Sequence, residues 1–316
     1  MKALVTGSAG FIGSHLVDVL LSRGYEVIGL DNLSTGIIRY LEDANKNSSY
    51  KHYEGDILDL KFLISIMKDV DIVYHMAANA DIRGGTKNPY LDLEQNTIGT
   101  FNVLEAMRLN KNVKRICFAS SAAALGEPEI FPTPEDLPNP LQTSLYGASK
   151  MAGEGLISSY CNAFDIEGYC FRFVSLLGPR YPHGHVFDFV KKLKSNPKEL
   201  QILGDGTAEK SYLHIDDCIK ALMIICEDLR PAKDLMNKFE IYNLGMEEYI
   251  KVSDSAKLIT KELGLKPEFI FGKGRRGWIG DNPFVFLDIS KIKKIGWKPT
   301  HTIEDSIRET TKWLSE

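Results

Sequence analysis

In the stretch SLYGASK, Tyr146 and Lys150 stand four residues apart, so a helix would carry both on one face. A free tyrosine ionises near ~10 and is no base at neutral pH, whereas a neighbouring ammonium favours the phenolate and makes proton abstraction feasible. The same pair is ordinary on a helix surface, and the spacing alone leaves both readings open. A second group of residues is more directive. TGSAGFIG places Gly7, Gly10 and Gly13 directly after a short apolar run, with a helical pattern beginning at Phe11. Glycines there let a pyrophosphate approach the backbone, and the helix start offers free N–H groups. Asp31 ends the next apolar stretch, where a carboxylate would accept from an adenosine ribose and repel a 2′-phosphate, which favours NAD over NADP. A turn-forming aspartate in DNLSTG would look the same. Asp56, in EGDI, is placed to meet an adenine or to cap a helix.

These residues need a frame that presents them at one edge. The runs around Val5, YEVIGLD, YKHYEGD, VDIVYHMAA and VKRICFAS read as strands, and helical patterns separate them. Strict alternation implies right-handed crossovers and a parallel sheet, so Ser121 falls at a carboxyl strand end, where open α/β sheets bind ligands. His75 also ends a strand and is expected to be structural. After Phe173 the rhythm breaks at Pro179, Pro182, Gly184 and Pro197, and a smaller lobe is expected. The expected class is α/β, a Rossmann-type doubly wound parallel sheet with a smaller C-terminal α/β substrate lobe. Its boundaries are drawn at 1–178 and 179–316, with 215–245 packing back on the first.

Composition narrows the field. With 316 residues, 44% hydrophobic and 25% charged, the chain suits a soluble globular protein; a net charge of −4 without charge blocks gives no reason to expect nucleic acid. The five cysteines (Cys117, Cys161, Cys170, Cys218, Cys226) show no CxxC spacing, so neither a disulfide framework nor a metal site is expected, and reduced thiols fit a cytoplasmic location. No signal peptide or run of ~18 apolar residues points to a membrane. His183 and His185, in YPHGHVFDFV, receive no role.

Taken in order, TGSAGFIG, DNLSTG, HMAANAD, NTIGT, FASSAAALG, YGASK, GPR, GDG and HIDD resemble the extended short-chain dehydrogenases/reductases, in the NAD-dependent nucleotide-sugar epimerase/dehydratase group. The resemblance implies Tyr146 as acid/base, Lys150 as its electrostatic partner and Ser121 as the hydroxyl that holds the reacting alcohol. It implies an NAD site drawn from Gly7, Gly10, Phe11, Ile12, Gly13, Asp31, Asn32, Asp56, Ile57, Ala77, Ala78, Asn79, Asn96, Tyr146, Lys150, Phe173 and Val174. Arg83, Ser121, Ser175, Lys210, Arg275 and Arg276 are the substrate candidates. Two departures stand out: Ser175 where the family has asparagine, and Leu125 where it has the tyrosine of VYG.

Relatives that dehydrate or decarboxylate carry acidic residues after the catalytic hydroxyl, whereas Ser121 is followed by Ala122 and Ala123. Alanine moves no proton, which leaves oxidation and re-reduction at one carbon. The expected activity resembles that of UDP-glucose 4-epimerases: an NAD-dependent isomerase acting on a nucleotide-diphosphate sugar, expected to be UDP-linked, as a homodimer built on helices that include the YxxxK helix. The competing expectations are an epimerase at another carbon, a nucleotide-sugar reductase, and a non-catalytic NAD-sensing protein.

Overall fold

The structure, a computed structural model, describes residues 1–228, 238–278 and 281–316. The first of two compact units gathers Met1–Glu127, Pro138–Arg172 and Ile219–Tyr242. It opens with β1 (Lys2–Thr6), α1 (Phe11–Ser22), β2 (Glu26–Asp31), β3 (Tyr50–Glu54), α2 (Leu60–Ile66) and β4 (Ile72–His75). A π-helical stretch, Asp92–Ile98, runs directly into α3 (Gly99–Asn110), followed by β5 (Arg115–Ser121), α4 (Leu145–Phe164) and β6 (Glu167–Phe173). With Phe239–Leu244 as an edge, these form a seven-stranded sheet in the order Phe239–Leu244, β6, β5, β4, β1, β2, β3. The registered pairs β1–β2, β1–β4, β2–β3 and β4–β5 are all parallel.

Helices on both faces explain why the strands read as apolar runs rather than alternations. Ala3, Leu4, Val5 and Thr6 are all fully buried, as are Ile72, Val73, Tyr74 and His75 to within 1%. Leu4, Val73, Ile116 and Phe118 join Val103, Leu104 and Met107 of α3 and Leu63 of α2 in one apolar cluster. The strand order reverses between β1 and β4, so the loops leaving those two strands flank the crevice that such sheets offer to a dinucleotide. Both loops carry residues singled out above: the glycines after β1 and Ala77, Ala78 and Asn79 after β4.

The second unit comprises Pro128–Leu137, Phe173–Cys218 and Asn243–Glu316. It holds short parallel pairs, Ser175–Leu177 with Tyr212–His214 and Glu199–Ile202 with Glu268–Phe271, and helices His185–Ser195, Val252–Glu262 and Ile303–Ser315. The changeover falls at 172/173 rather than 178/179, and the return segment is 219–242 rather than 215–245, of which 229–237 lie outside the described residues. Residues 128–137, expected within the first unit, join the second. Thr133 donates its N–H to the Phe286 carbonyl at 2.8 Å, and Asn243 donates to the Thr133 carbonyl at 2.9 Å and to Glu135 at 3.0 Å. Among the described residues, no helix is long and apolar enough to cross a membrane.

Candidate active site

The glycine-rich turn is held by close backbone approach. A methyl group at Gly13 would sit 2.0 Å from the Gly7 carbonyl oxygen, so the first turn of α1 can close on the strand end only with glycine there. Gly10 is the N-cap, without a side chain to cover the helix start. Phe11 and Ile12 follow in the first turn, leaving a helix N-terminus with no acidic side chain in its first turn. Asp31, 7% exposed, is fixed by the N–H of Ala9 at 2.9 Å and of Leu33 at 2.8 Å, so its carboxylate both holds the turn and faces the loop. Asn32 donates to Asp56 at 2.8 Å, and Asp56 accepts from the N–H of Leu58, which makes it a turn aspartate as well as an adenine candidate. Ile57 is buried, and Asn102 donates to its carbonyl at 3.2 Å.

On the other side of the switch point, Asn79 and Asn96 are paired reciprocally. The Asn79 N–H donates to Asn96 Oδ1 at 2.7 Å, and Asn96 Nδ2 donates to the Asn79 carbonyl at 3.2 Å. Asn96 Nδ2 also reaches Ser149 Oγ at 2.9 Å, and the Ser149 hydroxyl donates to the Tyr146 carbonyl at 2.8 Å. The cofactor loop is thereby tied to the first turn of α4. Asn96 reaches this position from a π-helical stretch, a geometry that recurs at functional sites.

Ser144 caps α4 by accepting the Gly147 N–H at 3.0 Å. A methyl at Gly147 would lie 2.4 Å from the Ala123 carbonyl oxygen, so glycine lets the helix start press against the end of β5. That contact brings Tyr146 beside Ser121: burial, with the Asp92 charge, pushes the phenol's pKa up to about 12 against the lowering pull of the Ser121 hydroxyl. Ser121 Oγ also accepts the Ala123 N–H at 3.1 Å, which fixes the hydroxyl's orientation. Lys150, 2% exposed, donates to the Ala119 carbonyl at 2.8 Å and lies 4.9 Å from the Phe118 ring centroid and 5.7 Å from that of Tyr146. Burial lowers its pKa to about 8, against the opposing pull of Asp92, Cys170 and Glu154. Beneath it a buried ion pair, Arg172 with Glu154 at 2.8 Å, is completed by the Ser120 hydroxyl donating to Glu154 at 2.5 Å. Ser121, Tyr146 and Lys150 are thus assembled within one unit; burial keeps the phenol protonated here, and once ionised it would adjoin a hydroxyl and an ammonium and could exchange a proton with an alcohol.

A model of the NAD dependent epimerase/dehydratase family matches residues 3–245. The chain belongs to that family. It is 36% identical over 318 residues to a putative UDP-glucose 4-epimerase of Methanocaldococcus jannaschii, covering 98% of this chain and 97% of that one. It is 30% identical over 323 residues to a UDP-glucuronate 4-epimerase of Thermodesulfobacterium geofontis, covering 99% and 96%. The crystal structure of a UDP-galactose 4-epimerase superposes with a TM-score of 0.88 at 35% identity, covering 100% of this chain and 99% of that one. The chain is an isomerase of the nucleotide-sugar 4-epimerase group that works with NAD. The Gly7–Gly13 cradle, the fixed Asp31 carboxylate and the Asn79–Asn96 loop fit that cofactor.

The other predicted residues of the epimerase divide between the two units. Arg83 sits on a short helical turn, Ile82–Gly85, in the first unit. Phe173, Val174, Ser175, Lys210, Arg275 and Arg276 belong to the second. There Lys210 is bound by Asp281 at 2.9 Å and by the Asn282 carbonyl, Arg275 pairs with Glu209 at 3.3 Å, and Arg276 donates to the Asp281 carbonyl at 3.1 Å. Leu125 is a buried core residue. His185 is structural: its ring bonds Tyr212 at 2.9 Å and Ser255 at 2.6 Å, and burial lowers its pKa to about 3.

Sequence reading passed over Asp92, Ser149, Glu154 and Arg172. Glu154, one turn beyond Lys150 on the same helix face, carried a usable spacing signal; the others acquire partners only through the fold. Among the described residues His214, Asp216 and His301 bring ligand-type atoms within 4.8 Å of one another. The two imidazoles stack at 3.9 Å and 23°, so their in-plane lone pairs run alongside each other and do not converge on one ion.

Proposed function

We propose that the protein is a UDP-hexose 4-epimerase of the UDP-glucose/UDP-galactose type. The observation that carries the reading is the Ser121–Tyr146–Lys150 assembly followed by Ala122 and Ala123, which has proton-transfer machinery at one hydroxyl and none for eliminating water. Ser121 holds the sugar 4-hydroxyl by hydrogen bond, and Tyr146 as phenolate takes its proton while the C4–H bond breaks and the C4=O bond forms. NAD, held by the Gly7–Gly13 turn, Asp31 and the Asn79–Asn96 loop, would supply the oxidant for that C4 hydrogen with its electron pair and the reductant for the return step. Lys150 provides the positive charge that favours phenolate, and on the return step Tyr146 gives its proton back to the 4-oxygen. The 4-keto sugar must turn over between the two steps while its diphosphate stays held, and Lys210, Arg275 and Arg276 are our candidates for that hold, with Ser175 and Arg83 as further contacts.

The test is incubation of purified protein, without added cofactor, with UDP-galactose, UDP-N-acetylgalactosamine and UDP-galacturonate separately, followed by NMR of the sugar ring. Inversion at C4 of UDP-galactose is the expected result. Inversion of only one of the other two would keep the chemistry and replace the sugar; no conversion with NAD bound would overturn the reading.

We also propose a homodimer through α3 and α4. Phe101 and Leu109 on α3 and Leu145 and Phe164 on α4 are each more than 40% exposed, and the space around Gly155 is open. Light scattering is expected to give twice the chain mass, and Gly155→Trp is expected to halve it.

A further inference from the structure

His75 closes β4 and is fully buried, yet both ring nitrogens are hydrogen-bonded: Nδ1 to Thr6 Oγ1 at 2.8 Å and Nε2 to Thr100 Oγ1 at 3.0 Å. The direction of each bond follows from the groups at the two ends. The Thr100 hydroxyl donates its one proton to the Asn96 carbonyl at 2.6 Å, so its oxygen accepts from His75 and Nε2 carries the ring proton. Nδ1 is then bare and accepts from the Thr6 hydroxyl, whose oxygen in turn accepts the Ala77 N–H at 3.2 Å. Every proton in the chain is assigned, and a second ring proton would meet the one already on Thr6.

The array ends on an amide carbonyl, which cannot pass a proton on, so it orients groups and does not conduct. What it orients is the site itself. Thr6 immediately precedes Gly7, Ala77 lies in the cofactor loop, and Asn96 continues through its side chain to Ser149 and the Tyr146 carbonyl. The His75 ring also lies against Phe118, 5.6 Å between centroids, the same ring over which Lys150 sits at 4.9 Å.

We propose that His75 is a positioning residue for the oxidation step: its neutral imidazole, donating through Nε2 and accepting at Nδ1, sets the cofactor loop at Ala77 against the helix that carries Tyr146 and Lys150. Burial and the Lys150 charge lower the ring's pKa to about 3, which agrees with a ring kept neutral by its two hydrogen bonds near neutral pH. The kinetic part of the proposal rests on the epimerase reading above.

Holoenzyme carrying 15N-labelled histidine gives the first readout. His75 is expected to show the spectrum of a neutral ring protonated at Nε2, unchanged between about pH 5 and 8; a titrating ring, or one protonated at Nδ1, overturns the proposal whatever the substrate. The second readout uses His75→Phe, which keeps the ring against Phe118 and loses both bonds, and His75→Gln, which can still donate and accept. His75→Phe is expected to lower kcat about 10- to 100-fold, with KM and bound NAD nearly unchanged, and His75→Gln to recover much of that loss. Thr100→Val, nearly isosteric, is expected to lower kcat in the same direction and carries the kinetic test should His75→Phe not fold. Full activity in His75→Phe or, if it does not fold, in Thr100→Val overturns the proposal, as does a loss matched by bound NAD released and not recovered by glutamine. A wild type that turns over no UDP-sugar, with the Nε2–H ring in place, sinks the substrate reading and leaves the positioning claim to stand on the spectrum.

Discussion

Lys150 and Lys210 both lie largely out of water, and their charges are met differently. The Lys150 ammonium rests on the Ala119 carbonyl and over the Phe118 ring. The ammonium of Lys210 is matched by the Asp281 carboxylate. An ammonium facing a carbonyl and an aromatic ring keeps most of its field, at a cost in desolvation that shows as a pKa near 8. One matched by a carboxylate is well solvated by protein, and its field is largely cancelled. The first arrangement serves a group whose charge acts on a neighbouring phenol. The second serves a group that exchanges one anion for another, so the two lysines should separate rate from binding.

The largest effect is expected at Tyr146. Tyr146→Phe should lower kcat by about a thousand-fold, within the range for a lost acid/base, while bound NAD survives in the denatured extract. Cellular function unchanged in that variant would restore the NAD-sensing alternative. Next comes the buried pair beneath Lys150. Arg172→Met leaves the Glu154 carboxylate, among the described residues, with the Ser120 hydroxyl as its remaining hydrogen-bond partner and should cost about 3–5 kcal/mol by denaturant unfolding. That loss has no counterpart at the half-buried Lys210–Asp281 pair, and equal costs at the two would erase the contrast.

Lys150→Met should lower kcat about a hundred-fold and also change how stability depends on pH. The folded-state pKa of Lys150 is lowered from 10.5 to about 8, so between those values the unfolded chain binds more protons than the native one. The wild type should therefore gain stability relative to Lys150→Met as pH rises through that window, on the order of 2 kcal/mol by pH 9.5. Unfolding curves for both proteins at neutral and alkaline pH measure it, and a gap that narrows or reverses would mean that the lysine is compensated after all.

What could be read in advance divides along the same line. The glycine turn and the Tyr146–Lys150 spacing are local patterns, set within one turn of chain, and a sequence displays them directly. His75 was expected to be structural because nothing near it announces Thr6, 69 residues before it, or Thr100, 25 after it. Asp92 is one acid among many until a π-helical stretch turns it inward to accept from Asn79 at 2.8 Å. Residues 128–137 carry prolines that mark a loop without saying which unit it serves; Asn243, more than a hundred residues later, decides that. Lys210 and Arg275 are substrate candidates in the sequence, which does not show their carboxylate partners, Asp281 and Glu209, because those become neighbours only through the fold of the second unit.

The smallest effects are expected at the Lys210 pair and test the comparison from its other side. Lys210→Met should raise KM for the nucleotide sugar roughly ten-fold with kcat nearly unchanged, the mark of an interaction made equally in ground and transition states. Asp281→Asn removes the competing anion and leaves the ammonium available, so KM should fall by about two- to three-fold and become more sensitive to salt. The two substitutions thus move KM in opposite directions only if Lys210 meets the substrate. If both raise it, Asp281 is holding the backbone around Arg276 and Gly277, whose N–H it accepts at 3.0 Å, and the phosphate role passes from Lys210 to the arginines.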